Sequence, residues 1–114
     1  MKNPDIRLYI NDMKENADKI LKKTHGMTLQ DIKNDEFLQL GIERAFTILG
    51  EAANRIPKEH QQEFPTIPWA EIIGLRNIII HTYDKVDTGE LYKIIQQDLP
   101  VLKAELDKIW LEIK

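Results

Sequence analysis

One short segment of the chain carries side chains that can do acid–base and electrostatic chemistry. It runs from Arg76 to Tyr83 and reads Arg-Asn-Ile-Ile-Ile-His-Thr-Tyr. The guanidinium of Arg76 is planar and permanently charged, which suits it to a phosphate or a developing phosphorane. The imidazole of His81 can serve as a general acid or a general base. Together these groups form a minimal set for metal-free RNA cleavage, in which a 2′-hydroxyl attacks the neighbouring phosphorus.

The spacing within this segment raises a geometric difficulty. His81 follows Arg76 by five residues, so an ideal helix places the two side chains about 140° apart. Asn77 and His81 are four residues apart and share a face. Either the helix unwinds before His81, or the same segment of a second subunit completes the site across a two-fold axis. A dimer is the more economical solution.

The same residues also have ordinary structural explanations. An arginine, a histidine and a tyrosine within eight residues occur by chance in many helical proteins. Arg76 is then solvated or ion-paired, His81 is a C-terminal cap, and Tyr83 is a packing aromatic. Glu51 and Arg55 have the i,i+4 spacing of an ordinary helical ion pair.

The balance of charged residues argues against a generic nucleic-acid-binding protein. The chain has 16 basic and 19 acidic residues, so no global positive field draws it onto nucleic acid. A local cleft that holds one or two phosphates is still compatible, because close arginine contacts act within a Debye length of about 8–10 Å. Arg44 and Arg55 lie eleven residues apart, close to three helical turns, so they either line one wall of an RNA groove or are solvated.

Other signals bear on cofactors and location. His25, His60 and His81 have no metal-ligand spacing, and we predict neither a metal site nor a cofactor. The chain has no cysteine, no secretory signal and no apolar run long enough to span a membrane. These features predict a cytoplasmic protein.

Hydrophobic spacing and capping residues predict one all-α domain over residues 1–114, an antiparallel bundle of four to six helices. The first predicted element is a helix from an Asn3 N-cap to about residue 23, followed by a short helix near 28–34 that Thr28 and Asp31 cap. Next come a long helix over 35–56 and a turn or short helix over 58–65. A long helix then runs from Pro68 to about His81, and a last helix follows Asp87 and Glu90 and is kinked or divided by Pro100.

Glycines 41, 50 and 74 lie inside these predicted helices. Each costs about 1 kcal/mol relative to alanine, so we expect another backbone to approach closely at each. Gly41 and Gly50 are nine residues apart, which places them on opposite faces. One is expected to meet a helix of the same chain and the other a second subunit.

The sequence blocks around the chemical segment resemble the HepT-like toxins of the HEPN superfamily. The blocks are G-E-A-A-N-R at 50–55, P-T-I-P-W-A-E-I-I-G-L-R-N at 65–77, H-T-Y at 81–83, V-D at 86–87 and D-L-P at 98–100. The pattern R-x-x-x-x-H-x-Y is short by itself, but the flanking blocks at matching spacing make it specific. The resemblance covers residues 5–110 of the chain.

This resemblance implies an HEPN-like bundle, a homodimer, and metal-independent RNA cleavage with Arg76 and His81 as the catalytic pair. Asn77 is implied as a group that shapes the site. The resemblance also implies a partner, an MntA-type nucleotidyltransferase encoded beside the toxin, which adenylylates the tyrosine that corresponds to Tyr83. A nucleotide at that position would add bulk and negative charge where the RNA phosphate binds.

Three interpretations of function follow from the sequence. The first is a toxin ribonuclease built on the Arg76 to Tyr83 segment. The second is a non-catalytic helical module that binds a nucleotidyltransferase, and the third is a purely structural helical dimer. Loss of RNA cleavage on substitution of His81 separates the first from the other two.

Overall fold

The computed structural model describes residues 5–82 and 86–114, and this part of the chain is helical without any strand. Its helices are α1 (Ile6–Thr24), α2 (Leu29–Lys33), α3 (Glu36–Arg55), α4 (Lys58–Glu63), α5 (Trp69–His81), α6 (Thr88–Gln97) and α7 (Leu99–Ile113). The predicted all-α class is confirmed. The described residues form seven helices rather than four to six, because Asp98 ends α6 and α7 restarts with Pro100 in its first turn.

The first long helix begins later than predicted. The carboxylate of Asp5 accepts a hydrogen bond from the Arg7 amide at 3.0 Å and caps α1, which starts at Ile6. The predicted cap, Asn3, lies outside the described residues. An aspartate next to the first helical turn supplies both an acceptor for free amides and a negative charge at the positive end of the helix.

Two other predicted helix starts are confirmed. The Asp31 amide donates to the Thr28 hydroxyl at 3.1 Å, and the Thr28 amide donates to the Asp31 carboxylate at 2.9 Å, which completes a capping box for α2. The carboxylate of Asp87 accepts from the amides of Gly89 and Glu90 at 2.8 and 3.3 Å and caps α6.

The four longest helices, α1, α3, α5 and α7, form a bundle with one open side. Helix α1 packs against α3 and α7, and α3 packs against α5, whereas α5 and α7 make little direct contact. Helices α2 and α6 cover one end of the bundle, where they contact each other, α3 and α7. The largest fully buried side chains are Ile10, Met13, Ile20, Ile32, Leu49, Ile56, Leu99 and Leu106.

A chain of hydrogen bonds fixes the direction of α5. The indole N–H of Trp69 donates to the carbonyls of Gln61 and Phe64 at 3.0 and 3.1 Å. The side-chain amide of Gln61 in turn donates to the carbonyls of Ala53 and Ile56 at 3.3 and 3.0 Å. The start of α5 is therefore tied to the end of α3. The two helices run antiparallel, and the contact of Gly50 with Arg76 places the last turn of α5 beside the middle of α3.

Candidate active site

The crossing of α3 and α5 fixes the base of the Arg76 side chain. A Cβ atom placed on Gly50 would overlap the Cβ of Arg76, and it would lie 2.9 Å from the Arg76 Cγ and 3.2 Å from the Ile72 carbonyl oxygen. Only a residue without a side chain permits this approach of the two backbones. The predicted close contact at Gly50 is confirmed, and its partner is the predicted catalytic arginine.

The other two glycines for which a close approach was expected, Gly41 and Gly74, behave differently. A Cβ on Gly41 or on Gly74 would meet no atom of the described chain within 4 Å. The expected close approach is therefore not made at these positions within one subunit. The prediction that a second subunit approaches one of the glycines stays a prediction.

The guanidinium of Arg76 is held on two sides. Its Nη1 donates to the Asn77 side-chain oxygen at 2.8 Å, and its Nη2 lies 3.9 Å from a Glu51 carboxylate oxygen. The Nε atom is buried and has no acceptor among the described residues. Because buried N–H groups in proteins are almost always hydrogen-bonded, this Nε is a donor without its expected partner.

Glu51 is the residue of this site that the sequence did not assign. It was predicted to pair with Arg55, but it approaches Arg76 instead. Tertiary packing explains this difference, because α3 and α5 cross at Gly50 and Arg76 therefore lies beside Glu51, the next residue of α3. The Glu51 side chain is 40% exposed, so its ion pair contributes about 1 kcal/mol at most and serves mainly to orient the guanidinium. The only sequence signal was the glutamate that directly follows Gly50.

His81 does not meet Arg76 within one subunit. Helix α5 is continuous through His81, and the Thr82 amide still donates to the Ile78 carbonyl at 2.9 Å. Of the two alternatives that the sequence left open, unwinding of the helix before His81 is therefore excluded, and the two side chains leave α5 about 140° apart. The His81 side chain is exposed. Tyr83 lies outside the described residues.

Arg44 and Arg55 are both exposed on α3. Their spacing places them on one face, separated by about 16 Å along the helix axis. Glu51 lies on the same face between them, and Arg76 reaches that glutamate from α5. The structure therefore brings three of the predicted arginines to one side of the α3 and α5 pair.

One end of this helix pair also exposes large apolar side chains. Phe37 and Leu40 in the first half of α3 are 87% and 55% exposed. Ile78 and Ile80 in the last turn of α5 are 56% and 38% exposed. Because α3 and α5 are antiparallel, all four lie toward the end of the pair that carries His81. Clustered apolar exposure of this kind is typical of an interaction surface.

Residues 5–82 and 86–114 contain neither a cluster of metal-ligating side chains nor a helix that could span a membrane. No three histidine or carboxylate side chains in these ranges are arranged to hold a metal ion. None of the helices described is both long and apolar enough to cross a bilayer.

The site lies in a region that matches a known family. The family described as Ribonuclease HepT-like matches residues 13–109. The chain belongs to the HepT-like ribonuclease family. The match includes all of α2 to α6, and with them Gly50, Arg76 and His81. The HEPN-like helical fold expected from the sequence is thereby supported by the family as well as by the helices.

Relatives of this HepT-like chain are similar over nearly their whole length. A protein of Methanocaldococcus jannaschii whose name describes it as an RNase is 33% identical over 107 residues, which is 94% of this chain and 98% of that protein. A protein of Thermococcus cleftensis named as a ribonuclease HepT is 34% identical over 101 residues, which is 89% of this chain and 92% of its own. No solved structure matches the chain.

Proposed function

We propose that residues 1–114 form one HepT-like domain that acts in the cytoplasm as a homodimeric toxin and cleaves RNA without a metal ion. The observation that carries this proposal is the state of Arg76. Its base is fixed against Gly50, and Asn77 accepts from its Nη1, which sets the direction of the guanidinium. An arginine held in this way is prepared to bind an anion, and the family supports a phosphodiester.

The proposed reaction is an attack of the RNA on its own backbone. The 2′-hydroxyl oxygen forms a bond to phosphorus while the imidazole of His81 takes up the hydroxyl proton, and the bond from phosphorus to the 5′ oxygen breaks. The imidazole then returns a proton to the 5′ oxygen. Arg76 stabilises the extra negative charge of the phosphorane with its fixed N–H groups. Asn77 shapes the site by holding one of the guanidinium nitrogens.

The proposed reaction requires two subunits. Arg76 and His81 diverge by about 140° on the unbroken α5, so one copy cannot direct both at one phosphate. A two-fold axis near the end of α5 would bring His81 of one copy toward Arg76 of the other. The exposed Phe37, Leu40 and Ile78 at that end support an interface there.

Arg44 and Arg55 are proposed to contact the RNA on either side of the reacting phosphate. Both are exposed on the face of α3 that Arg76 approaches. Positive charges within a few ångströms of the backbone can hold phosphates even though the formal net charge of the chain is −3.

The proposal is tested by incubating the purified protein with RNA in excess EDTA. We expect cleavage at an undiminished rate, because every group in the proposed reaction belongs to the protein. The His81→Ala variant, purified in parallel, serves as the blank for contaminating nucleases. Intact RNA together with a stable complex with the nucleotidyltransferase would instead favour the non-catalytic binding module.

We also propose that an MntA-type nucleotidyltransferase silences the toxin by adenylylating Tyr83. The tyrosine follows His81 by two residues, so a phosphodiester-linked nucleotide there would place a negative charge next to the catalytic imidazole. The same charge would repel the RNA phosphate, and the nucleotide would occupy part of its space.

This modification has a direct readout by mass. After incubation with the nucleotidyltransferase and ATP, the chain should gain one or more AMP units on Tyr83 and lose cleavage activity. Tyr92→Phe is the matched control, because its hydroxyl is committed to the Met27 carbonyl at 3.3 Å and the variant should be modified like the wild type. Full neutralisation with an unmodified Tyr83 would contradict the covalent mechanism.

A further inference from the structure

The open side of the bundle between α5 and α7 is an apolar groove. Its volume is about 430 Å³, and its walls come from α3, α5, α6 and α7. The apolar side chains that form its floor and walls include Phe46, Leu49, Ile72, Leu75, Leu99 and Leu102. A hydrogen bond of 3.0 Å from the Thr66 hydroxyl to the Glu105 carboxylate bridges it.

The position of this groove suits a helix. In a closed bundle the apolar edges of neighbouring helices interlock, but here the edges of α5 and α7 face open space. Val101 beside the groove is 63% exposed, so an apolar lip extends along α7. A helix laid into the opening would bury both edges, as amphipathic helices do in hydrophobic grooves of other proteins.

The acidic side chains around the groove indicate the charge of the ligand that it can bind. Glu71 of α5 lies on one wall. Asp98, which precedes α7, and Glu105, in the middle of α7, lie on the other. No lysine or arginine is among the described residues that line it. Glu105 has a cation near it, since Lys108 lies 3.8 Å away, but that lysine is largely exposed. The groove therefore repels RNA and favours a positively charged ligand.

We propose that this groove docks a basic amphipathic helix of a partner protein. Apolar side chains of that helix would fill the space between α5 and α7, and its lysines or arginines would lie against Glu71, Asp98 and Glu105. A second copy of this chain is a poorer occupant, because its formal net charge is −3. The docking surface is separate from the face of α3 that carries Arg44 and Arg55, and binding there does not depend on RNA cleavage.

The test uses the full chain and two labelled helical peptides of about 18 residues, long enough to form several turns. Both carry the same leucine face, but one has lysine and the other glutamate at the polar positions. Fluorescence anisotropy should show saturable binding of the lysine peptide, with the glutamate peptide weaker by about tenfold or more. Equal affinity of the two peptides would overturn the proposal.

Two pairs of matched variants locate the binding. Glu71→Lys should weaken the lysine peptide by about tenfold, whereas Glu112→Lys, which makes the same charge change at an exposed glutamate outside the groove, should leave binding within about twofold. Val101→Ser should also weaken binding, whereas Leu111→Ser on the same helix, 66% exposed, should not. Equal effects within either pair would count against the groove.

The same variants distinguish a second copy from a partner protein. If Val101→Ser lowers the oligomeric mass in sedimentation while Leu111→Ser leaves it unchanged, the groove is occupied by another copy and the proposal is wrong. Unchanged mass for both variants, together with selective loss of the lysine peptide, supports it. Neither readout requires the protein to cut RNA, so this proposal and the proposed function fail separately.

Discussion

His81→Ala should lower RNA cleavage by about 10²–10⁴-fold, and mixing it with Arg76→Ala should restore activity to about a quarter of the wild-type rate. The loss follows from removal of the proton acceptor. The recovery follows from the geometry of α5, in which each proposed site takes Arg76 from one subunit and His81 from the other. After random exchange about half of the dimers are mixed, and each mixed dimer has one intact site of two.

The measurement is the initial rate of RNA cleavage in EDTA before and after the two variants exchange subunits. Each variant alone, at the same total concentration, is the control for residual activity. Native mass spectrometry would verify that mixed dimers have formed. If mixed dimers are present and no activity returns, Arg76 and His81 do not cooperate across the interface, and the two-subunit site is incorrect.

Gly50→Ala should destabilise the protein and displace Arg76. The added methyl group would occupy the space of the Arg76 Cβ and press on the Ile72 carbonyl, and both belong to the framework of α5 rather than to a flexible side-chain end. Overpacking of this kind costs about 1–3 kcal/mol, which for a domain of this size lowers Tm by about 5–15 °C. Cleavage should fall even at temperatures where the variant remains folded, because the guanidinium shifts.

Gly41→Ala is the matched control on the same helix. Its methyl group would meet nothing within 4 Å in the described chain, and alanine is the better helix former by about 1 kcal/mol. Because Gly41 directly follows Leu40 of the proposed dimer interface, the comparison is made at a protein concentration at which the chain is monomeric. Thermal unfolding should then show an unchanged or higher Tm for Gly41→Ala and a lower Tm for Gly50→Ala. Equal Tm values for the two variants would show that the α3 and α5 crossing is not tightly packed at Gly50.

Local signals were sufficient to predict most helices. The capping pair of Thr28 and Asp31 marks the start of α2 in the sequence because both hydrogen bonds join residues three apart. Pro68 and Asp87 mark the starts of α5 and α6 for similar local reasons. The divergence of Arg76 from His81 was also predictable, since it depends only on the helical repeat.

The features that the sequence did not reveal depend on which helices meet. Glu51 has a correctly spaced partner in Arg55, and only the approach of α5 turns it toward Arg76. The open groove was likewise not predictable, because α5 has apolar residues around its whole circumference and its periodicity does not identify a buried face. Leu75 lines the groove and Ile78 does not, but both are large apolar residues and the sequence does not distinguish their positions.

The open side of the bundle also affects how securely Arg76 is held. Among the other long helices, α5 has α3 as its one extensive neighbour, whereas α1 packs against both α3 and α7. A helix with one neighbour is expected to detach at a lower free energy than the rest of the fold, so its amide hydrogens should exchange with solvent sooner. Each such opening would separate Arg76 from Gly50. The side chain that we propose to be catalytic is therefore on the long helix with the fewest packing partners.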